Sequence, residues 1–410
     1  MTTIKLDPGA ALLLDALHGA GHAAYAVGGC VRDSLLGQAP HDWDLCTSAR
    51  PEQVMELFGE EKCIPTGLQH GTVTVKQGGR LYETTTFRIE GAYSDGRHPD
   101  AVHFVPDVRE DLARRDFTIN AMAYSAEEGL IDPFGGRGDL AAHLVRAVGE
   151  PERRFEEDAL RILRLYRFAA RFDFSVDPAT GAAARALGPH LDCVSAERIQ
   201  EEMLKLLAAP APGRYLEPAV LAVILPELYP LEEPARFAES CRVIDRLAPG
   251  AENVPARLAA LLLPLGEEGT RKALRRLKCS NALTEETAVL VRETGTSGPA
   301  TDPAVSVRRL LGRYGLTAVE RLAALGAAGH PEQAADFAAR AELARQMEAD
   351  GVCCRIAQLA VNGRDLMAAG AKHGPGLRQL LEQLLEAVIT GQVPNEKQAL
   401  LAAAAQFSAS

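Results

Sequence analysis

The chain has 410 residues, enough for two to four compact units with a sizeable core, and its 47% hydrophobic and 24% charged content is ordinary for a soluble protein. No apolar run reaches the roughly 18 residues of a membrane span, MTTIKLDPGA is too polar for a signal peptide, and eight cysteines without a Cys-x-x-Cys pair argue against a zinc knuckle and fit a reducing, cytoplasmic setting. A formal charge of −11 disfavours nucleic acid as a partner for the chain as a whole, but net charge says little about a local basic patch.

Residues 5–22 read as a helix leading into a short buried strand, Ala24 to Val27. Gly28 and Gly29 then open a second helical pattern through Val31, Leu35 and Leu36. Paired glycines let backbone N–H groups approach a ligand, and a helix start favours negative charge. Arg32, near that start, adds a fixed cation suited to phosphate oxygens. After a turn at Gly37–Pro40 comes Asp42-Trp43-Asp44. In a strand, residues two apart face one way, so both carboxylates would point at one spot. Two hard oxygen ligands beside a phosphate cradle suit magnesium carried by a nucleotide. Alone, the glycines could be a tight turn and the acids a solvated strand edge; together, with an arginine between them, they point to metal-assisted nucleotidyl transfer.

These residues, GGCVRDSLLG followed by HDWDL, resemble the opening motif of the tRNA nucleotidyltransferase and bacterial poly(A) polymerase family, specifically its bacterial-type CCA-adding members. The stretch TSARPEQVMELF, with a serine cap and an early proline, reads as a helix over 48–58. Beyond it Val73 and Val75 alternate with polar residues, and Gly78-Gly79 makes a hairpin turn. Glu83, a lone acid in the following strand, is either a third catalytic carboxylate, as the resemblance implies, or a plain exposed glutamate. RIEGAYSDGRHPDAVHFV (88–105) reads as a mobile loop running into a strand. By analogy it corresponds to the loop of family members that add the terminal A.

DLARRDFTINAMAY (111–124) matches the second family motif, with an apolar helical pattern after Asp116. The resemblance implies that Arg115 contacts the nucleotide and that Asp116 and Asn120 lie near the ribose, whose 2′-hydroxyl both donates and accepts. Asp116 would serve equally as a helix cap. LIDPFGGRGDL (130–140) then closes an α/β unit near Glu150, after which strand signals nearly vanish.

FEEDALRILRLYRFAARFDF (155–174) reads as one helix whose outer row holds Asp158, Arg161 and Arg164 at i,i+3 spacing. An Asp–Arg staple along that face is the plain explanation. The sharper one is a protein template for a base. A carboxylate only accepts hydrogen bonds and a guanidinium only donates them. Cytosine and adenine set an exocyclic amino donor beside a ring-nitrogen acceptor, whereas uracil and guanine reverse the order. An acid beside an arginine therefore accepts C and A and leaves U and G unpaired, at about 1–3 kcal/mol per buried group. The family motif E-D-x-x-R stands here as Glu157, Asp158 and Arg161, with its further arginines at Arg164 and Arg167. VSAERIQEEMLKLL (194–207) resembles the next motif and reads as a supporting helix.

From 210 the chain is short amphipathic helices, with a linker-like break at 325–331 before a family-like tail in which Gly374-Pro375-Gly376 opens a helix. Basic runs at 271–278 and 308–313 fit an RNA surface or a solvated helix face equally.

The expected architecture is α+β: a polymerase-β-like nucleotidyltransferase head (1–150), a helical neck that recognises the base (151–209), a helical body (210–328) and a tRNA-binding tail (329–410). The resemblance implies attack of the tRNA 3′-hydroxyl on the α-phosphorus of CTP or ATP, with Asp42 and Asp44 holding Mg²⁺ and Gly28, Gly29 and Arg32 holding the triphosphate. No membrane partner is expected, and monomer and homodimer are both open. Alternatives are A-only or CC-only addition, poly(A) polymerase, a non-catalytic RNA-binding relative, or a small-molecule nucleotidyltransferase.

Overall fold

Four consecutive buried residues, Ala24–Val27 (β1), form the axis of the N-terminal part. The computed structural model describes residues 3–90, 102–228, 234–296 and 302–409. Their contacts divide the chain into two compact units, Met1–Pro230 and Leu231–Ser410.

In the first unit, helix α1 (Pro8–Gly19) starts at Asp7, whose carboxylate accepts from Gly9 N and Ala10 N, and buries Leu13, Leu14 and Leu17. After β1 come α2 (Gly29–Leu35), β2 (Leu45–Thr47), α3 (Pro51–Phe58), β3 (Cys63–Gly67), β4 (Thr72–Gln77) and β5 (Arg80–Thr86). Ser48 does not cap α3. Its hydroxyl accepts from Ala23 N at 3.0 Å, and Arg50 takes the cap position. The hairpin forms as expected, with Gln77 opposite Arg80 and positive φ at both Gly78 and Gly79, the combination a tight primed turn requires.

The sheet has seven strands in the order β3-β4-β5-β2-β1-β8-β9, where β8 is Ala123–Ser125 and β9 Gly129–Ile131. All of its pairings are antiparallel except β2 with β5. Strands β6 (Arg88–Glu90) and β7 (Val102–Phe104) pair as a separate ribbon. Most of the loop expected at 88–105 lies outside the described residues. The segment after Asp116 departs from the helix expected there. Helix α4 (Val108–Ala113) comes before it, and only one 3-10 turn, Thr118–Asn120, follows. The apolar residues Met122 and Ala123 are spent on the sheet, where Ala123 pairs with Val27. Strand pairing overrides the local helical spacing.

Helix α5 (Gly136–Ala141) is followed by α6 (Pro151–Glu157), α7 (Leu160–Phe172), α8 (Pro178–Ala186), α9 (Ala196–Leu207) and α10 (Pro218–Ile224). The single helix expected over 155–174 is thus two, parted at Asp158, whose backbone is extended at φ −151°, ψ 102°. Phe155, Ile162 and Leu165 are wholly buried, each worth roughly 1.5–3 kcal/mol. Phe168 meets Phe117 edge-on at 5.8 Å, which ties α7 to the α/β part.

The second unit is all helix in its described residues, from α11 (Pro234–Arg246) through α12 (Val254–Leu262), α13 (Gly266–Arg276), α14 (Asn281–Thr296), α15 (Pro303–Tyr314), α16 (Leu316–Gly329), α17 (Ala334–Ala349), α18 (Gly363–Ala368) and α19 (Pro375–Ile389) to α20 (Lys397–Ala409). Helix α16 runs through the break expected at 325, and the turn comes only at His330-Pro331. The basic runs are partly neutralised here: Arg271 bonds Glu267 at 2.6 Å and Glu285 at 2.8 Å, and Arg309 pairs with Glu386. Among the described residues no helix is long and apolar enough to cross a membrane.

Candidate active site

The acids follow from the sheet. Asp42-Trp43-Asp44 lies just ahead of β2, yet the alternation of a strand already holds, with Asp42 and Asp44 exposed and Trp43 buried. Asp44 O accepts from Val27 N at 3.0 Å, fixing this stretch against the end of β1. In the parallel pairing of β2 with β5, Leu45 is opposite Thr84. One step back along that register sets Asp44 beside Glu83 on the adjoining strand, at the usual spacing of about 4.8 Å between strands. Glu83 is exposed between buried Tyr82 and Thr84, on the same side as Asp44.

Asp44 can be reached by solvent, but protein crowds it. Loss of water first, then the charges of Glu83 and Asp42, raise its carboxyl above the usual range, while Arg115 opposes the shift. Mutual repulsion of this kind is relieved by a divalent cation. Among the described residues no group of three or more His, Cys, Asp and Glu forms a ready cage for a metal.

Gly28 stands where β1 ends, at φ 75°, ψ −122°. A Cβ there would stand 2.8 Å from Arg115 Nη1, the tip of a flexible side chain lying over it, so it is the positive φ that calls for glycine. The other edge of Arg115 reaches Asp111, with Nη2 3.4 Å from Oδ2, while its buried Nε has no partner among the described residues. Asp111 is 1% exposed and also takes Arg114 at 2.9 Å and the backbone N–H of Arg88 at 3.3 Å. Those arginines outweigh burial and hold its carboxyl below the usual range.

Arg32 is only 4% exposed. Its guanidinium donates to Asp33 at 2.8 Å and to Asn120 Oδ1, and lies 4.8 Å from the Phe172 ring centre and 5.4 Å from that of Phe168. This arginine is committed to protein partners. Asn120 passes the connection on, donating to Asp116 Oδ1 at 3.0 Å. The other oxygen of Asp116 takes Arg164 Nε at 2.9 Å and Nη2 at 2.6 Å. Burial opposes the charge on Asp116, but Arg164 and the Asn120 bond prevail and hold it at about 2. Asp116 accepts from Phe117 N at 2.8 Å and caps no helix.

Asp158 and Arg161 do not pair with each other. Asp158 Oδ1 accepts from Leu160 N at 3.1 Å, and Oδ2 from Arg198 Nη2 of α9 at 2.8 Å. Arg161 donates to Glu157 Oε2 at 2.8 Å and to the carbonyls of Arg154 and Arg114 at 3.1 and 3.0 Å. Two of its five N–H groups are outside these bonds. Arg167 bonds Glu202 of α9 at 2.5 Å. The helix break at Asp158 is what divides the expected Asp–Arg staple.

The structure therefore brings together Asp42, Asp44 and Glu83, sets Arg115 over Gly28, and links Arg32, Asn120, Asp116 and Arg164 in one buried chain. Sequence reasoning passed over Asp33, Asp111, Arg198 and Glu202. Asp111 had a local signal, lying three and four residues before Arg114 and Arg115 on a helix. Arg198, forty residues from Asp158, had none.

Three family models match the chain: the poly A polymerase head domain over residues 24–146, the probable RNA- and SrmB-binding site of polymerase A over 173–231, and a putative tRNA nucleotidyltransferase domain 2 over 252–404. The chain is 37% identical to the CCA-adding enzyme of Limosilactobacillus fermentum across 96% of both chains. It is equally 37% identical to that of Geobacillus stearothermophilus, over 93% of this chain and 92% of the relative. Among solved structures, the Bacillus stearothermophilus CCA-adding enzyme in complex with CTP superposes with a TM-score of 0.80 at 33% identity, covering 98% of each chain. The Thermotoga maritima CCA-adding enzyme complexed with tRNA shares the fold at a TM-score of 0.66 and 21% identity.

Proposed function

The chain belongs to the bacterial-type CCA-adding enzymes of the tRNA nucleotidyltransferase and poly(A) polymerase family, which add C and A to the tRNA 3′ end from CTP and ATP, and from that premise we propose how its own residues divide the work. Asp42 and Asp44, with Glu83 beside them, hold Mg²⁺. Held there, Mg²⁺ would supply positive charge that favours an ionised 3′-hydroxyl and a pyrophosphate leaving group. The backbone of Gly28 and Gly29, with Arg115 above it, receives the triphosphate, and Asp116 and Asn120 form the wall nearest the ribose. Arg32 organises this wall from behind, since its guanidinium is already bonded to Asp33 and Asn120.

Asp158 and the two uncommitted N–H groups of Arg161 read the base. Arg198 and Glu157 fix the two side chains so that neither has to be ordered when the nucleotide arrives. Arg164 and Arg167 hold α7 in register through Asp116 and Glu202. No nucleic-acid template is needed. The enzyme works in the cytoplasm, where tRNA and both nucleotides are at hand, and the head, neck, body and tail follow the boundaries given at 150, 209 and 328.

The observation that supports this most is the parallel register of β2 and β5, on which the pairing of Asp44 with Glu83 depends. The direct test supplies Mg²⁺ and tRNA ending before C74, C75 or A76 (standard tRNA positions), with each triphosphate offered singly. CTP alone should extend the first two and ATP alone the third. Incorporation of UTP or GTP at comparable rates would overturn the base-reading roles.

A further inference from the structure

Asp111 lies outside every role assigned above, yet it is among the most thoroughly buried charges in the N-terminal unit. Its carboxylate collects three donors from two elements: Arg114 at 2.9 Å, Arg115 at 3.4 Å and the backbone N–H of Arg88, at the root of the β6–β7 ribbon, at 3.3 Å. A charge at 1% exposure is costly unless it is fully paired, and this one is. What distinguishes Asp111 from a structural ion pair is where its partner's far edge goes. Arg115 Nη1 lies against Gly28 at the end of β1, its charge is felt at Asp44, and its buried Nε is unpartnered among the described residues. One end of a planar guanidinium is thus held by Asp111, while its Nη1 lies over the glycine turn.

The geometry points to Asp111 as a positioning residue that aims Arg115 at the incoming nucleotide's phosphates, and through the Arg88 N–H sets that aim in register with the root of the β6–β7 ribbon. It rests on the reading of Arg115 as a nucleotide contact. Without the carboxylate, the guanidinium keeps its charge but loses its fixed plane, and bidentate recognition depends on that plane. The loss should fall on nucleotide binding and spare tRNA binding.

The test is steady-state kinetics of CTP and ATP addition by full-length D111N, R115A and the double variant. D111N should raise KM for both nucleotides about tenfold, with kcat and the KM for tRNA within about threefold of wild type. In the R115A background, D111N should add less than about twofold, because coupled residues are not additive. Should R115A itself leave nucleotide KM unchanged, the reading of Arg115 fails. Should R115A raise KM while D111N does not, or should the two effects simply multiply, the positioning role fails and Asp111 is only structural. If D111N does not fold, D111E replaces it, keeping the charge while moving it by one methylene. A raised nucleotide KM at unchanged tRNA KM then supports the role, and an unchanged nucleotide KM overturns it.

Discussion

The acids at the mouth of the sheet and the arginines along α7 are opposite treatments of charge. Asp42 is 81% exposed and has only the imidazole of His41 at 2.9 Å, and no lysine or arginine stands within ion-pair distance of it, Asp44 or Glu83 among the described residues. Arg161, Arg164 and Arg167, by contrast, each rest on a carboxylate, from Glu157, Asp116 and Glu202. The first region is left with unbalanced negative charge, which the Mg²⁺ of the proposed function would neutralise. The second is largely paired within the protein, with two N–H groups of Arg161 left over. In the proposed function, chemistry falls where charge is unbalanced and selection where side chains are already held.

The most severe way to break the comparison is to empty the first region. Asp42→Ala or Asp44→Ala should lower kcat by about 10³-fold or more, since a metal supplies several kcal/mol at the transition state. Binding of tRNA in a mobility-shift assay should be unchanged, because neither acid supports the helices. Loss of binding together with turnover would mean that these acids are part of the structural frame, and the contrast with α7 would disappear.

Loosening the second region should do something different. Asp158→Ala removes an acceptor from the base-reading pair and should reduce discrimination against UTP and GTP by roughly 10- to 100-fold, with triphosphate binding retained. Arg161→Ala should act in the same direction, with an added stability loss because it also removes the bonds to Glu157 and to the carbonyls of Arg154 and Arg114. The readout is the ratio of kcat/KM for CTP over UTP. Full discrimination in both variants would transfer the base-reading role to other residues.

The same contrast explains what could be read from the residues alone. Alternation across Asp42, Trp43 and Asp44, the glycine pair at 78–79 and the strand-to-helix turn at Gly28 are local signals, and each appears where its period or φ requirement puts it. The acids are therefore legible, because an exposed charge at the end of a strand is set by that strand. The arginines are not. Their partners come from other elements: Asp116 lies 48 residues from Arg164, and Glu202 lies 35 from Arg167. The i,i+3 spacing of Asp158 and Arg161 even misleads, since the chain leaves the helix at Asp158. Where tertiary pairing decides, as for the helix expected after Asp116, local period is overruled.

A smaller and purely thermodynamic effect separates the two regions by pH. Asp116 is held at about 2, below an ordinary aspartate at about 4. A carboxylate whose folded value is depressed favours the folded state above its unfolded value, and that contribution is lost as pH falls through the folded one. Asp116 should therefore add on the order of 2 kcal/mol at neutral pH, declining between about pH 4 and pH 2. Asp116→Asn keeps the shape but not the charge, and leaves Arg164 with only Glu202 at 3.6 Å. Its melting temperature should lie several degrees below wild type at pH 7, and the gap should narrow as the pH is lowered through that window. Asp44, whose value is raised, supplies no such stabilisation, so Asp44→Asn should leave the melting temperature at pH 7 unchanged or slightly higher. A gap for Asp116→Asn that stays constant down to pH 2 would mean that packing, and not charge, joins Asp116 to α7.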